Sequence, residues 1–375
     1  MKKILLVPDS FKGTLSSPEI CAIMTEAIHR IFPEVEIVAL PIADGGEGCV
    51  DTFLAAVGGE KRFVPCKNPY LEDSTGFYGA LPDQVAIVEM AAAAGLPLVY
   101  GRKNPEKTST YGVGQLIRAA IDDGASSVIV GLGGSATNDG GVGAAAALGV
   151  RFYDKTGETF LPTGGTLHRI ARIDTSHCQF HGVRFTAMCD IDNPLCGLHG
   201  AAAVFGPQKG ADAAMVRRLD DNLAHLAAVV QRDLGVSLLD LPGAGAAGGM
   251  GGGMVAFFGS ELKMGIETVL DLVDFDRQLI GADLVFTGEG KLDAQSLRGK
   301  AVIGVARRAK AAGVPVIAIV GNIGDGVDAA YEEGISGIFS INRVAVPVGE
   351  ARGRSPSDLR LTMENLLRFL KRMGL

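Results

Sequence analysis

At 375 residues, 47 % hydrophobic and 21 % charged, the chain is too long for one ordinary core and too apolar for large-scale disorder, so two domains are expected. A net charge of −7 excludes the basic surface that nucleic-acid binding requires, so any anion must be held by local groups and backbone amides. Six scattered cysteines without a C-x-x-C pair read as reduced, mostly buried thiols, which predicts a cytoplasmic protein.

The chain opens basic, but the apolar run 4–7 stops at Pro8-Asp9, too short for the core of a signal peptide, and reads as a buried strand. Residues 16–31 have helical periodicity, with Ser16 or Ser17 as N-cap and Pro18 in the first turn. A second strand is expected at 35–40 and a second helix at 48–57. The middle differs: short strands at 61–65, 74–80 and 85–90 suggest a mixed or antiparallel unit. A helix at 109–122, a strand at 127–132, a glycine-rich turn and an alanine-rich helix near 142–148 follow. Next come a strand at 183–187 and a polar helix at 211–234. Residues 241–260 carry no charge, yet eight glycines and an early proline make a poor spanning helix, and they read as glycine-rich loop and tightly packed helix. The last third alternates again: strand 282–287, helix 300–312, strand 314–320, helix 327–333, strand 337–341, then an amphipathic helix 355–373 capped by Ser355 or Ser357. This alternation implies parallel sheets with right-handed crossovers. The expected fold class is α/β: a doubly wound domain from both chain ends, 1–60 and 264–375, interrupted by a second α/β domain at 61–263. Its active site is expected in the interdomain cleft.

Four segments carry the chemistry. The strand at 128–132 runs into Gly133-Gly134-Ser135-Ala136-Thr137-Asn138-Asp139-Gly140-Gly141 and then a helix, which suits phosphate. Ser135, Thr137 and Asn138 add neutral donors, and Asp139 adds a carboxylate suited to Mg²⁺; an ordinary tight turn with Asp139 as helix cap is the alternative. Thr287-Gly288-Glu289-Gly290 with Asp293 and Gln295 leaves another strand at the edge where α/β sheets place ligands. Lys300 nearby is not a P-loop lysine, because Ala294 and Ala301 stand where glycine and Ser or Thr are needed. Asp9, Ser10 and Lys12 follow the first strand and Asp44 and Glu47 the second, so these groups face one crevice, as Mg²⁺ ligands, base or anion clamp. Asp190, Asp192 and Asn193 form a metal- or hydroxyl-binding cluster, or else a turn started by Asn193-Pro194. Gly243-Ala-Gly245-Ala-Ala-Gly248 fits G-x-G-x-x-G without a preceding strand or an acidic ribose partner, so close backbone packing or a ligand contact is its reading.

Taken in order, Pro-Asp-Ser-Phe-Lys at 8–12, Ala-Asp-Gly-Gly-Glu-Gly at 43–48, Glu-Met-Ala-Ala-Ala at 89–93 and the 133–141 run are joined by further motifs. These are Cys-Asp-Ile-Asp-Asn-Pro-Leu at 189–195, Phe-Gly-Pro-Gln-Lys-Gly at 205–210, Gly-Ala-Ala-Gly-Gly-Met-Gly at 245–251 and Thr-Gly-Glu-Gly at 287–290. Together they resemble the bacterial type-1 glycerate kinase family over nearly the whole chain. The resemblance implies a Rossmann-like domain with an inserted domain, and ATP-dependent phosphorylation of D-glycerate, in this branch at the 2-hydroxyl. Gly13-Thr14 departs from the more usual Glu-Ser after Lys12, and the segment after Ile341 matches only loosely.

Phosphoryl transfer needs charge neutralisation and in-line positioning. The expected catalytic set is Asp190, Glu289, Lys12 and Asp44. Asp9, Ser10, Glu47, Gly133, Gly134, Ser135, Thr137, Asn138, Asn193, Gln295 and Lys300 are expected to bind substrate or phosphate, and Asp139, Asp190, Glu289 and Asp293 to bind Mg²⁺. Competing readings are a glycerate 3-kinase, an NAD-linked hydroxyacid dehydrogenase and a non-enzymatic acid-sugar binding protein.

Overall fold

The computed structural model describes residues 1–11, 13–42, 48–178, 180–294, 296 and 301–374. The chain divides into two compact units: Met1–Asp44, Ala55–Val57 and Gly265–Leu375 form the first, Gly45–Leu54 and Gly58–Met264 the second. Patterning sets a boundary at 60/61, whereas the contacts set it inside the helix Cys49–Val57. Val50 and Leu54 lie against Gly79, where a Cβ would meet Val50 Cγ1 at 3.2 Å, and Asp51 pairs with Lys61 at 2.6 Å.

The first unit holds a five-stranded parallel sheet in the order Ile335–Ser340, Val316–Val320, Leu284–Gly288, Lys3–Pro8, Glu36–Ala39. Counted along the chain within this unit, that is the 2-1-3-4-5 order of doubly wound sheets, which reverses direction between its first and third strands. Ile4 and Leu6 share a core with the helices Ser17–Ile31 and Val348–Arg372. Leu5 and Val7, on the opposite face by the period of two, are equally buried, and the helix Ala301–Ala311 packs against this sheet. Burial on both faces explains the unbroken apolar strands.

Helix Ser17–Ile31 starts as its sequence predicts, with a Ser16/Glu19 capping box and Pro18 in the first turn. The C-terminal helix differs, beginning at Val348 and carrying Pro356 inside. Ser355 and Ser357 do not cap it; their hydroxyls donate to the Ala351 and Arg354 carbonyls. The apolar stripe of Leu359, Met363, Leu366 and Leu370 continues the helix, and Pro356 merely leaves out one backbone bond.

The second unit holds a six-stranded sheet in the order Glu261–Lys263, Arg184–Met188, Ser127–Gly131, Val85–Glu89, Asp73–Leu81, Glu60–Lys67. Its first four strands are parallel and its last two antiparallel, the expected mixed unit. The pairing aligns the carboxyl ends Glu89, Gly131, Met188 and Lys263. A small sheet of Arg151–Tyr153, Thr159–Phe160 and Arg172–Asp174 has strands too short to show periodicity in the sequence. Among the described residues no helix is long and apolar enough to cross a membrane.

Candidate active site

In the second unit the strand register places the 133–141 turn between the segments that follow Glu89 and Met188. The turn is pinned to the former: Met90 N donates to Gly131 O, Leu96 N to Gly134 O and Ala136 N to Ala94 O. Gly134 has φ +75°, open to glycine at little cost. Among the described residues the amides of Gly133, Gly134 and Ser135 donate to no acceptor, while Gly134 is exposed and Gly133 half-buried. This is the part of the turn that an anion can reach.

The later half of the turn does something else. Asp139 is fully buried and accepts hydrogen bonds from Thr110 N at 2.8 Å, Thr110 Oγ1 at 2.9 Å, Gly141 N at 3.2 Å and Gly143 N at 3.4 Å. Burial pushes its carboxyl above the usual range while these four donors pull it back, and burial prevails. Asp139 therefore has the geometry of a helix cap rather than of a metal ligand. It also occupies first-turn amides of the six-residue helix Val142–Ala147 that the sequence offers to phosphate.

The glycine-rich segment 243–253 packs against this turn and the 189–195 segment. A Cβ on Gly248 would lie 2.0 Å from Thr137 O, one on Gly253 2.3 Å from Gly140 O, and one on Gly245 2.2 Å from Pro194 O. Its glycines serve close backbone approach, the packing role the sequence offered for this run. Thr137 Oγ1 and both amide atoms of Asn138 are buried and find no hydrogen-bond partner among the described residues. Asp190 is exposed two residues beyond the Arg184–Met188 strand, and Asn193 donates to His199 O at 2.9 Å.

Two groups escaped single-residue reading, although both lie in motifs quoted for the resemblance. Glu89, 3 % exposed at the end of its strand, accepts from Val50 N at 2.6 Å and Gly48 N at 3.2 Å, fixing the start of the helix Cys49–Val57. Burial raises its carboxyl, and the two amides lower it. Lys209, 2 % exposed, donates to Ser135 Oγ at 2.7 Å and Thr137 O at 2.6 Å. A glutamate ending an apolar strand and a lysine before glycine are the only signals in the sequence.

In the first unit, Asp9 and Glu289 follow the paired positions Pro8 and Gly288, at the point where strand order reverses. That edge is where doubly wound sheets bind ligands. Both carboxylates are largely buried, Asp9 at 7 % and Glu289 at 6 % exposure. Asp9 N donates to Gly288 O and Ser10 N to Asp9 Oδ1 at 2.6 Å. Ser17 ties the edge together, donating to Pro8 O at 2.6 Å and accepting from Ile42 N at 3.1 Å. A Cβ on Gly288 would lie 2.0 Å from Ile319 O. Asp293 pairs with Lys291 at 2.9 Å, which raises the Lys291 ammonium. Lys12, Asp44, Glu47, Gln295 and Lys300 lie outside the described residues.

Oxygen donors of this kind suit Mg²⁺, which takes one or two carboxylates together with substrate phosphates. Among the described residues no three carboxylate, histidine or cysteine groups form a cage of their own. An apolar cavity of about 470 Å³, lined in part by Met1, Leu284, Pro315 and Phe369, lies at the amino ends of the first unit's strands, away from this chemistry.

A family model described as the glycerate kinase family matches residues 4–371. The glycerate kinase of Bacillus cereus is 45 % identical over 368 residues, covering 97 % of each chain. The glycerate 2-kinase of Escherichia coli K12 is 43 % identical over 343 residues, covering 90 % of each. The crystal structure described as glycerate kinase 2 from Salmonella typhimurium LT2 superposes with a TM-score of 0.90 at 40 % identity, covering 100 % of this chain and 99 % of that one. The two-unit α/β fold, the open glycine turn and the full-length match agree: this chain belongs to the glycerate kinase family.

Proposed function

We propose that the chain transfers the γ-phosphoryl group of ATP to the 2-hydroxyl of D-glycerate, with Mg²⁺, giving 2-phosphoglycerate and ADP. The observation that carries the reading is the near full-length likeness to glycerate kinases, a glycerate 2-kinase among them. Bound Mg²⁺ neutralises charge on the transferring phosphates. In this reading Asp9 and Glu289 supply oxygens for the metal, Asp293 is a further carboxylate of the same strand-end segment, and the amides of Gly133, Gly134 and Ser135 hold anionic oxygens. Asp190, the exposed carboxylate of the second unit's edge, accepts the hydroxyl proton as base. Lys12 and Lys300 serve as anion clamps, with Asp44, Glu47, Asn193 and Gln295 lining the substrate, and the reaction runs in the cytoplasm.

Phosphorus NMR of the product formed from D-glycerate, ATP and Mg²⁺ tests the regiochemistry, and a 3-phosphoglycerate signal would overturn the 2-hydroxyl assignment. Chelation by EDTA is expected to abolish turnover. Asp190→Asn and Glu289→Gln should each lower kcat by ~10²–10³-fold, and near-normal turnover in both would remove their roles.

A further inference from the structure

We propose that Lys209 is the positioning residue of the anion-binding turn: it holds the Ser135 hydroxyl and Thr137 carbonyl so that Ser135 O–H and the Gly133–Gly134 amides meet a phosphate or carboxylate group, and it takes up a proton when that anion arrives. The inference rests on the turn being an anion site, and adds the group that arms it.

The backbone around Lys209 is anchored. Its amide donates to Gly206 O, and Lys103 Nζ reaches Gln208 O at 2.9 Å. Gly210 turns at φ +98°, where a Cβ would lie 2.7 Å from Lys103 O. The side chain therefore enters the interior in a fixed place, 2 % exposed, with its nitrogen on Ser135 Oγ and Thr137 O. A hydroxyl has one hydrogen to give. Because Ser135 Oγ already accepts from Lys209, its own hydrogen is available to an acceptor from outside.

The second observation is beside it. Thr137 Oγ1 and the Asn138 amide are buried without partners among the described residues, an arrangement natural proteins keep where a polar group from elsewhere completes the set. Charge supplies the coupling. Burial brings the Lys209 amine down to about 7, and Asp139, the charged group acting on it, pulls the other way. Lys103, the nearby cation, is exposed and donates to Gln208 O. A neutral amine has two N–H groups for the two oxygens observed, and an ammonium has a third. An anion at the turn favours the ammonium, so binding near pH 7.5 draws a proton from solution.

Titration calorimetry of the full chain at pH 7.5, in buffers of different ionisation enthalpy, tests this with D-glycerate alone and ADP alone. Uptake of a fraction of a proton is expected with whichever of the two the turn holds, which identifies the source of the anion. In Lys209→Arg, which stays charged, uptake should vanish while binding survives. In Lys209→Met, uptake should vanish and the KM for that ligand rise ~10–100-fold, with kcat changed far less. Uptake that persists in either variant, or none in the unaltered chain, overturns the proposal. Hydrogen exchange at Gly133–Ser135 separates the failures: ligand protection without proton uptake sinks the Lys209 role alone, and no protection sinks the turn reading as well. Should Lys209→Met fail to fold, Lys209→Arg and Ser135→Ala decide. The latter should keep uptake and lose ~10-fold in affinity, and unchanged affinity would count against it.

Discussion

Asp139 shows how one carboxylate trades a functional reading for a structural one. Four donors from two helix starts converge on it, and removing the acceptor leaves Thr110, Gly141 and Gly143 amides buried and unpaired. At ~1–3 kcal/mol per orphaned donor, Asp139→Ala should lower the stability of the second unit by at least ~3 kcal/mol. At ~2–4 °C per kcal/mol for a unit of this size, thermal unfolding should show a fall of at least ~6 °C, and a fall below ~2 °C would reject the capping role. Lys209 makes an opposite demand on pH. Its folded value near 7 lies below the ~10.4 of an unfolded lysine, so between those values the unfolded chain carries a proton the folded one lacks. Stability therefore rises with pH across that window, by up to ~1.4 kcal/mol per pH unit, and is flat below it. Relative to Lys209→Met, the unaltered chain should gain stability from pH 7.5 to 9.5 in denaturant unfolding. An equal pH response in both would mean that Lys209 is charged throughout.

At the scale of elements, the glycines of 243–253 matter through what they leave out. Gly248 combines φ +73° with a Cβ position 2.0 Å from Thr137 O, whereas Gly259, at φ +61°, has open space around it. Both substitutions to alanine meet the left-handed penalty of ~1–2 kcal/mol, but only Gly248→Ala also pushes the 137–141 turn away. Gly248→Ala should thus lose more thermal stability than Gly259→Ala and lower kcat/KM as well. Equal losses in the two would remove the packing argument. The sequence makes the first helix legible to the residue, because Ser16, Pro18 and Glu19 are local instructions. It misplaces the start of the last helix, because a proline is a weaker signal than the apolar stripe that runs through it. The 151–174 strands stay hidden because two or three residues carry no period. Glu89 and Lys209 stay hidden for another reason: their partners are distant in the chain, and only folding brings Val50 or Ser135 to them.

For the whole molecule, strand order decides which edge does chemistry. The β/α alternation announces parallel sheets, and the motifs fall after strands, so the carboxyl edges are legible in the sequence alone. The 2-1-3-4-5 order is not, since pairing of Lys3–Pro8 with Leu284–Gly288 joins segments some 280 residues apart, and no local pattern encodes that. That pairing sets Asp9 beside Glu289 at the switch point. An apolar opening of the first unit lies at the other edge, where Phe369 is 60 % exposed. If topology rules function here, the two edges must respond differently to charge. Phe369→Glu places a carboxylate in the amino-edge cavity, and as a surface change away from the chemistry it should leave kcat/KM within ~2-fold. Asp9→Asn removes one charge with almost no change in shape, and should lower kcat/KM by ~10²–10³-fold. Both are read by ADP release with D-glycerate, with thermal unfolding of each variant as the control for folding. A loss in Phe369→Glu equal to that in Asp9→Asn, at unchanged stability, would move the substrate to the amino edge and reverse the assignment drawn from strand order.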